Sequence, residues 1–200
     1  LPAIRLKLLN QNIVTNIDYL QDFIGTTISR LEQVRSNGVK KELSFTINCS
    51  DLEDFNYVDI RQSDKFKHIF DQLISATGPS LYWFEIVSET DTQKVIKALY
   101  NYKASEKPKA TPALKSNINY NSKVLYVGKV KGTFWGRLIQ HLGFFKVNAT
   151  QGLQLFYWTK DLSLELKVNV LEFDNNMADI MPIIEYAFAK RLQPLIGKHK

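Results

Sequence analysis

Residues 124–141 bring together, in one short stretch, side chains that could act on a phosphate. The stretch reads VLYVGKVKGTFWGRLIQH. Its apolar start predicts a short buried strand. Gly128 predicts a turn near the end of that strand, and the residues after the turn predict a helix. Arg137 and His141 are four positions apart, about one helical turn, so both should point the same way. A phenol (Tyr126), a guanidinium and an imidazole at a strand end suggest phosphate chemistry, for which a carboxylate to bind a metal must come from elsewhere.

Basic residues concentrate in the middle of the chain. The net charge is +6, yet the segment from Lys103 to Val147 alone carries nine basic residues and one acid, Glu106, for a net +8. A basic segment of this kind is typical of a surface that binds DNA or RNA. A solvated lysine-rich loop would give the same composition, so charge alone leaves both interpretations open.

Length and composition limit the class of protein. Two hundred residues suit one domain with an appendage and can bury a sizeable core. No apolar run approaches the roughly 20 residues that a membrane-spanning helix needs, and the first residues lack a signal-peptide pattern. The single cysteine, Cys49, excludes an internal disulfide and a multi-cysteine zinc site. We expect a cytoplasmic protein.

The first 76 residues are predicted to form an N-terminal extension that serves as a scaffold or contacts DNA or the other copy of a dimer. Apolar residues recurring at three and four predict a helix over Ile13–Arg35, ended by Asn37-Gly38. Alternation predicts a strand over Leu43–Cys49, and Ser63 is expected to cap a helix over Lys65–Ala76.

The rest of the chain predicts a mixed α and β domain. A strand is expected over Leu81–Val87 and a helix over Asp91–Tyr102, followed by a long basic loop over Lys103–Ser122. The segment Gln151–Trp158 is ambiguous between strand and helix, and Leu164–Phe173 is expected to form a further strand. A final helix around Glu185 should start at Asn176 or Asp179, with Pro182 in its first turn, and end at Gly197. Gly128 should let a backbone segment pass close to its strand.

An ordered set of residues resembles the GIY-YIG nuclease superfamily over residues 78–200. The set comprises Leu81-Tyr82, Tyr126-Val127-Gly128, Arg137 with His141, and Glu185 followed nine residues later by Pro194. Two features depart from the family pattern. Ser80 replaces the first glycine, and 44 positions separate Tyr82 from Tyr126, where the family has a short hairpin. An inserted helix and basic loop at about 88–122 would explain that spacing.

The resemblance implies a fold and a set of roles. The fold would be α/β (α+β), with a small, mainly antiparallel three-stranded sheet formed by the strands at Leu81, Val124 and Leu164 and flanked by helices in a nuclease domain over 77–200. Tyr82 would be the general base, and Tyr126 would orient water or phosphate, although which tyrosine plays which part stays open. The remaining roles are phosphate binding by Arg137, support of Tyr82 or acceptance of a proton by His141, and Mg²⁺ binding by Glu185.

The implied function is Mg²⁺-dependent cleavage of double-stranded DNA, with Mn²⁺ able to substitute for the metal. A type II restriction endonuclease acting as a homodimer fits best, since a two-fold DNA site matches a two-fold protein. The alternatives are a structure-selective or repair nuclease, and an inactive nucleic-acid-binding protein on the same fold. Five lysines are the predicted DNA contacts: Lys107, Lys109, Lys115, Lys129 and Lys131.

Overall fold

Four strands and five α-helices are present in the computed structural model, which describes residues 16–53, 59–144 and 151–198. The chain divides into two units, residues 1–38 and 39–200. Within the described ranges, every helix is too short or too polar to cross a membrane. Lys146 and the first three residues of the predicted N-terminal helix lie outside the described residues.

The first unit contributes one described helix, α1, over Asn16–Asn37. It ends as predicted. Gly38 follows with a φ of +79°, and its N–H donates to the carbonyl of Val34 at 2.8 Å. A left-handed glycine at this place is the usual way to satisfy the last carbonyls of a helix.

The second unit is built on one antiparallel sheet with the strand order β1-β4-β2-β3. The strands are β1 (Lys41–Asn48), β2 (Ser80–Ile86), β3 (Val124–Val130) and β4 (Glu165–Glu172). The three strands expected in the sheet are confirmed. The sheet has a fourth strand because β1, which the sequence placed in the extension, pairs with β4 along its whole length. The 77–200 segment therefore shares its sheet with residues from the first 76.

Four helices accompany the sheet: α2 (Lys67–Leu73), α3 (Thr92–Lys103), α4 (Phe134–Leu142) and α5 (Met181–Leu192). Asp91 caps α3 through its side chain, which accepts from the N–H of Gln93. The predicted capping of α2 by Ser63 is wrong. The Ser63 backbone carbonyl, not its side chain, accepts from the N–H groups of Phe66 and Lys67, because a short turn of 3₁₀ helix ends at that point.

The helix α5 ends at Leu192, before the predicted stop at Gly197. Gln193 turns left-handed with a φ of 49°, and Pro194 follows, which has no N–H with which to continue a helix. The chain then runs beside β3. The N–H groups of Leu195 and Ile196 donate to the carbonyls of Val124 and Leu125 at 2.8 and 3.1 Å. At its start, β3 is thus paired on both sides.

Two neighbouring side chains of β2 place helices on opposite faces of the sheet. Successive residues of a strand point to opposite faces. The ring of Tyr82 lies 4.6 Å from that of Phe134 in α4, and the ring of Trp83 lies 5.9 Å from that of Phe188 in α5. The α4 face holds most of the apolar core, including Phe84, which is fully buried.

The basic loop after α3 contains no helix or strand apart from one bridge between Leu114 and Ile196. Lys103 fixes part of it. The Lys103 ammonium donates to the hydroxyl of Thr111 at 2.8 Å and to the carbonyl of Pro112 at 3.2 Å. The last residue of α3 therefore stabilises the loop that follows it.

Candidate active site

Tyr82 lies in β2 directly opposite Gly128 of β3, and its side chain is completely buried. The ring covers the glycine so closely that a Cβ added to Gly128 would lie 2.6 Å from the Tyr82 hydroxyl and 2.7 Å from the Tyr126 ring. Gly128 was expected to permit a close approach of backbone. The approaching group is instead the tyrosine side chain, for which only glycine leaves room.

The Tyr82 hydroxyl is the meeting point of two side chains from α4. It lies 2.9 Å from Nε2 of His141, and Nε of Arg137 donates to it at 3.2 Å. These are the two residues that the four-residue spacing placed on one helical face. That spacing therefore brings both to one oxygen atom.

His141 is held in one tautomer by the backbone of the segment after α4. Its Nδ1 accepts the N–H of Leu153 at 3.1 Å, and the ring is fully buried. Burial, together with the positive charge of Arg137, lowers the pKa of His141 well below its usual value. In a neutral ring whose Nδ1 accepts, Nε2 carries the proton, so His141 donates to Tyr82. Of the two roles considered for His141, the hydrogen bonds support that of holding Tyr82.

Tyr126 is the more accessible of the two tyrosines. It is partly buried, whereas Tyr82 is 0 % exposed. Its ring lies 6.3 Å from that of Tyr82, and the positive charge of Arg137 acts on its hydroxyl. Since the Tyr82 oxygen already accepts from two donors, its own proton is available for donation to a third group. Burial raises the pKa of both tyrosines, and the charge of Glu185 adds to the rise.

The guanidinium of Arg137 is fixed in place by oxygens besides that of Tyr82. Nη1 donates to Oε1 of Gln140 at 2.7 Å, and Nη2 donates to the carbonyl of Gln151 at 2.6 Å. A guanidinium has five N–H groups, so these two acceptors and the Tyr82 hydroxyl leave N–H groups for a phosphate oxygen. Burial opposes its charge, but the tyrosine oxygens outweigh that effect, and the pKa of Arg137 is raised.

Glu185 reaches the site from α5. Its Oε2 lies 3.7 Å from Nζ of Lys129, and 15 % of the Glu185 side chain is exposed against 27 % of the Lys129 side chain. The charge of Glu185 acts on both tyrosines, so its carboxylate lies within electrostatic range of them. The structure therefore brings Tyr82, Arg137 and His141 into hydrogen-bond contact, with the Tyr126 ring beside Tyr82 and Glu185 on the neighbouring helix α5.

No family model, no curated protein and no solved structure matches this chain at a significant level.

The donor set suits a metal that keeps most of its water. In the described parts of the chain, no three histidine, cysteine, aspartate or glutamate residues converge. Mg²⁺ commonly binds through one or two carboxylates and retains water on its other positions. The partly exposed carboxylate of Glu185 fits that requirement, and no other carboxylate was expected in the site.

The five predicted DNA-binding lysines have different surroundings. Lys131, next to the site at the end of β3, lies 3.8 Å from Asp179, while Lys107 is exposed. Lys109 donates to the carbonyl of Gly143 at 3.2 Å, at the end of α4. Burial lowers the pKa of Lys115. Lys129 and Lys131 pair with carboxylates, Glu185 and Asp179, at the end of β3.

Sequence reasoning missed the segment that supports α4 from behind. Gly152 lies so close to α4 that a Cβ would be 2.3 Å from the carbonyl oxygen of Gln140. This contact positions the backbone groups of Gln151 and Leu153 against Arg137 and His141. Gly152 itself was the available signal, since a glycine in an irregular segment often marks a close approach.

Proposed function

We propose that this chain is a metal-dependent DNA endonuclease that hydrolyses phosphodiester bonds on a GIY-YIG-like domain. The observation that carries the proposal is the shared hydroxyl of Tyr82, which Arg137 and His141 both contact. Tyr82 lies 55 positions before Arg137 and 59 before His141, so its contact with both supports the resemblance beyond what the spacing within α4 explains.

Tyr126 is the better candidate for the group that activates water. A general base must reach the proton that it removes, and Tyr82 is enclosed on all sides. The buried pair of His141 and Tyr82 would instead direct a hydrogen bond to the Tyr126 oxygen and stabilise the phenolate form that must be present before Tyr126 can take a proton from water. This assignment exchanges the roles that the resemblance suggested for the two tyrosines.

Arg137 would bind the scissile phosphate. Its planar fork matches phosphate oxygens, and its fixed orientation lowers the entropic cost of doing so. Glu185 would hold the metal, and Mg²⁺ bound there would neutralise phosphate charge and stabilise the departing oxygen. Lys129, now beside Glu185, would be free to pair with a phosphate once the carboxylate binds a cation.

The departure at Ser80 does not disturb the site. Ser80 is the first residue of β2 and is fully buried. Its hydroxyl donates to the carbonyl of Gly78 at 3.1 Å, within the turn that precedes the strand. A serine is therefore accommodated where the family pattern has glycine, and β2 still delivers Tyr82 to the cluster. This observation favours an active enzyme over a binding protein that has lost activity.

Nicking of supercoiled plasmid tests the proposal. We expect purified protein to nick with Mg²⁺ or Mn²⁺ and not with EDTA. Glu185→Gln and Arg137→Ala should each lower the rate at least a hundredfold, whereas the matched controls at exposed positions, Glu89→Gln and Arg191→Ala, should leave it unchanged. Tight DNA binding with no cutting by any metal would contradict the proposal.

The restriction subtype has a separate test. Digestion of a sequenced phage DNA should give discrete bands whose mapped ends share one sequence. Cutting confined to branched or flapped DNA would instead assign the protein to the structure-selective nucleases. With either subtype, Lys129→Ala and Lys131→Ala should lower the affinity of the protein for DNA by the same factor on all sequences, because phosphate contacts carry no sequence information.

A further inference from the structure

The helix α1 carries a broad, exposed apolar surface. None of its residues is buried, and the exposed fraction of its large apolar side chains runs from 40 % at Leu31 to 66 % at Tyr19. Its middle, Gly25-Thr26-Thr27, consists of weak helix formers. Most helices in water gain their stability from packing one face, so a helix of this composition needs something to pack against.

The apolar residues of α1 follow the repeat of a coiled coil. Core positions alternate at spacings of three and four over three heptads, and we call them the seam: Ile17, Leu20, Ile24, Thr27, Leu31 and Val34. Five of the six are apolar. The exception, Thr27, has a buried hydroxyl oxygen without a hydrogen-bond partner among the described residues. This pattern is that of a helix made to pack along one narrow stripe against another helix.

We propose that α1 pairs along this seam with α1 of a second copy of the chain, in antiparallel orientation. The register then places Ile17 against the partner's Val34, Leu20 against the partner's Leu31, and Ile24 against the partner's Thr27. Every core layer contains at least one large apolar side chain. The repeat of layers on either side of the two-fold axis makes the interface self-complementary.

Charge decides between the two orientations. Arg30 and Arg35 flank the seam, at positions g and e of the heptad. In a parallel pair, position g contacts position e of the next heptad, so Arg30 would lie beside the partner's Arg35 and repel it. In the antiparallel pair, Arg30 lies beside the partner's Phe23, whose ring face attracts a guanidinium. Opposed helix dipoles favour the antiparallel pair as well.

Sedimentation of the full-length protein tests the pairing without DNA or metal, so its outcome does not depend on the nuclease proposal. We expect a dimer at micromolar concentration. Leu20→Asp with Leu31→Asp should raise the dissociation constant of the dimer at least a hundredfold, while Tyr19→Asp, outside the seam, should leave it unchanged. Thr27→Leu should tighten the dimer about tenfold or more, because it adds apolar contact to two layers. A wild-type monomer, or a dimer that survives the double aspartate variant, would overturn the proposal.

Cysteine cross-linking tests the orientation. In a Cys49→Ala background, the double variant Ile17→Cys with Val34→Cys should oxidise to a covalent dimer, because residues 17 and 34 of different copies face each other. Ile17→Cys alone should not cross-link, since the two copies of residue 17 lie at opposite ends of an antiparallel pair. Efficient cross-linking of that single variant would show a parallel pair and overturn the orientation.

Discussion

The Tyr82 hydroxyl lies 2.9 Å from Nε2 of His141, and neither side chain is exposed to solvent. Their hydrogen bond cannot be exchanged for one with water, so it fixes the Tyr82 oxygen as an acceptor. Of the two tyrosines in the cluster, only Tyr126 is in contact with solvent.

The two tyrosines should therefore respond differently to removal of the hydroxyl. Tyr126→Phe should lower the single-turnover rate of DNA cleavage by about 10²- to 10⁴-fold, the range for loss of a general base, with little change in stability. Tyr82→Phe should lower the free energy of unfolding by about 1–3 kcal/mol, because two buried donors lose their acceptor, and should reduce the rate less. Full activity in Tyr126→Phe with none in Tyr82→Phe would return the base to Tyr82.

Gly128→Ala should disrupt the cluster. The added Cβ would lie 2.6 Å from the Tyr82 hydroxyl, so the ring or the strand must move, at a cost of about 1–3 kcal/mol. Thermal unfolding and plasmid nicking should both show the loss. Gly132→Ala is the matched control, since nothing lies within 4 Å of its Cβ position. Equal behaviour of the two variants would mean that the glycine is not required by the tyrosine ring.

His141 should make the protein less stable in mild acid. Its pKa is lowered by burial and by Arg137, whereas an unfolded histidine titrates near about 6.5. Its contribution to stability is therefore complete above about pH 6.5 and is lost as the pH falls towards the folded pKa, by up to about 1.4 kcal/mol per pH unit. Urea unfolding between pH 8 and 5 should show a steeper decline for the wild type than for His141→Gln. Identical slopes would indicate that His141 takes up a proton as readily in the folded protein as in the unfolded one.

Glu172 should act as a structural anchor for the start of β2. Its side chain is 1 % exposed, and Oε1 accepts from the Lys40 ammonium at 2.9 Å and from the N–H of Gly78 at 2.8 Å. Burial would raise the pKa of Glu172, but these donors outweigh it and the pKa is lowered. Glu172→Gln should cost about 1–3 kcal/mol in urea unfolding. Glu165→Gln, at the exposed end of the same strand, should be neutral, and an equal loss there would refute a specific anchor.

The sequence predicts the individual elements better than their assembly. Apolar, β-branched and aromatic composition located β2 and β3, alternation located β1 and β4, and the spacing of Arg137 and His141 placed both on one face of α4. The pairing of β1 with β4 joins residues far apart in the chain, and the amphipathic pattern of β1 says nothing about its neighbour. The backbone N–H of Leu153, which sets the His141 tautomer, has no side-chain signature at all. Helix ends were missed where backbone conformation decided them, as at Gln193.

The pairing of Leu195 and Ile196 with the start of β3 has a consequence for synthesis. A chain still attached to the ribosome presents β2, β3 and α4 before α5 and this last segment have emerged. Until residue 196 is outside the tunnel, Glu185 has no fixed place and the outer edge of β3 is bare at its start. The cluster is therefore incomplete on the nascent chain until the segment up to residue 196 has left the tunnel.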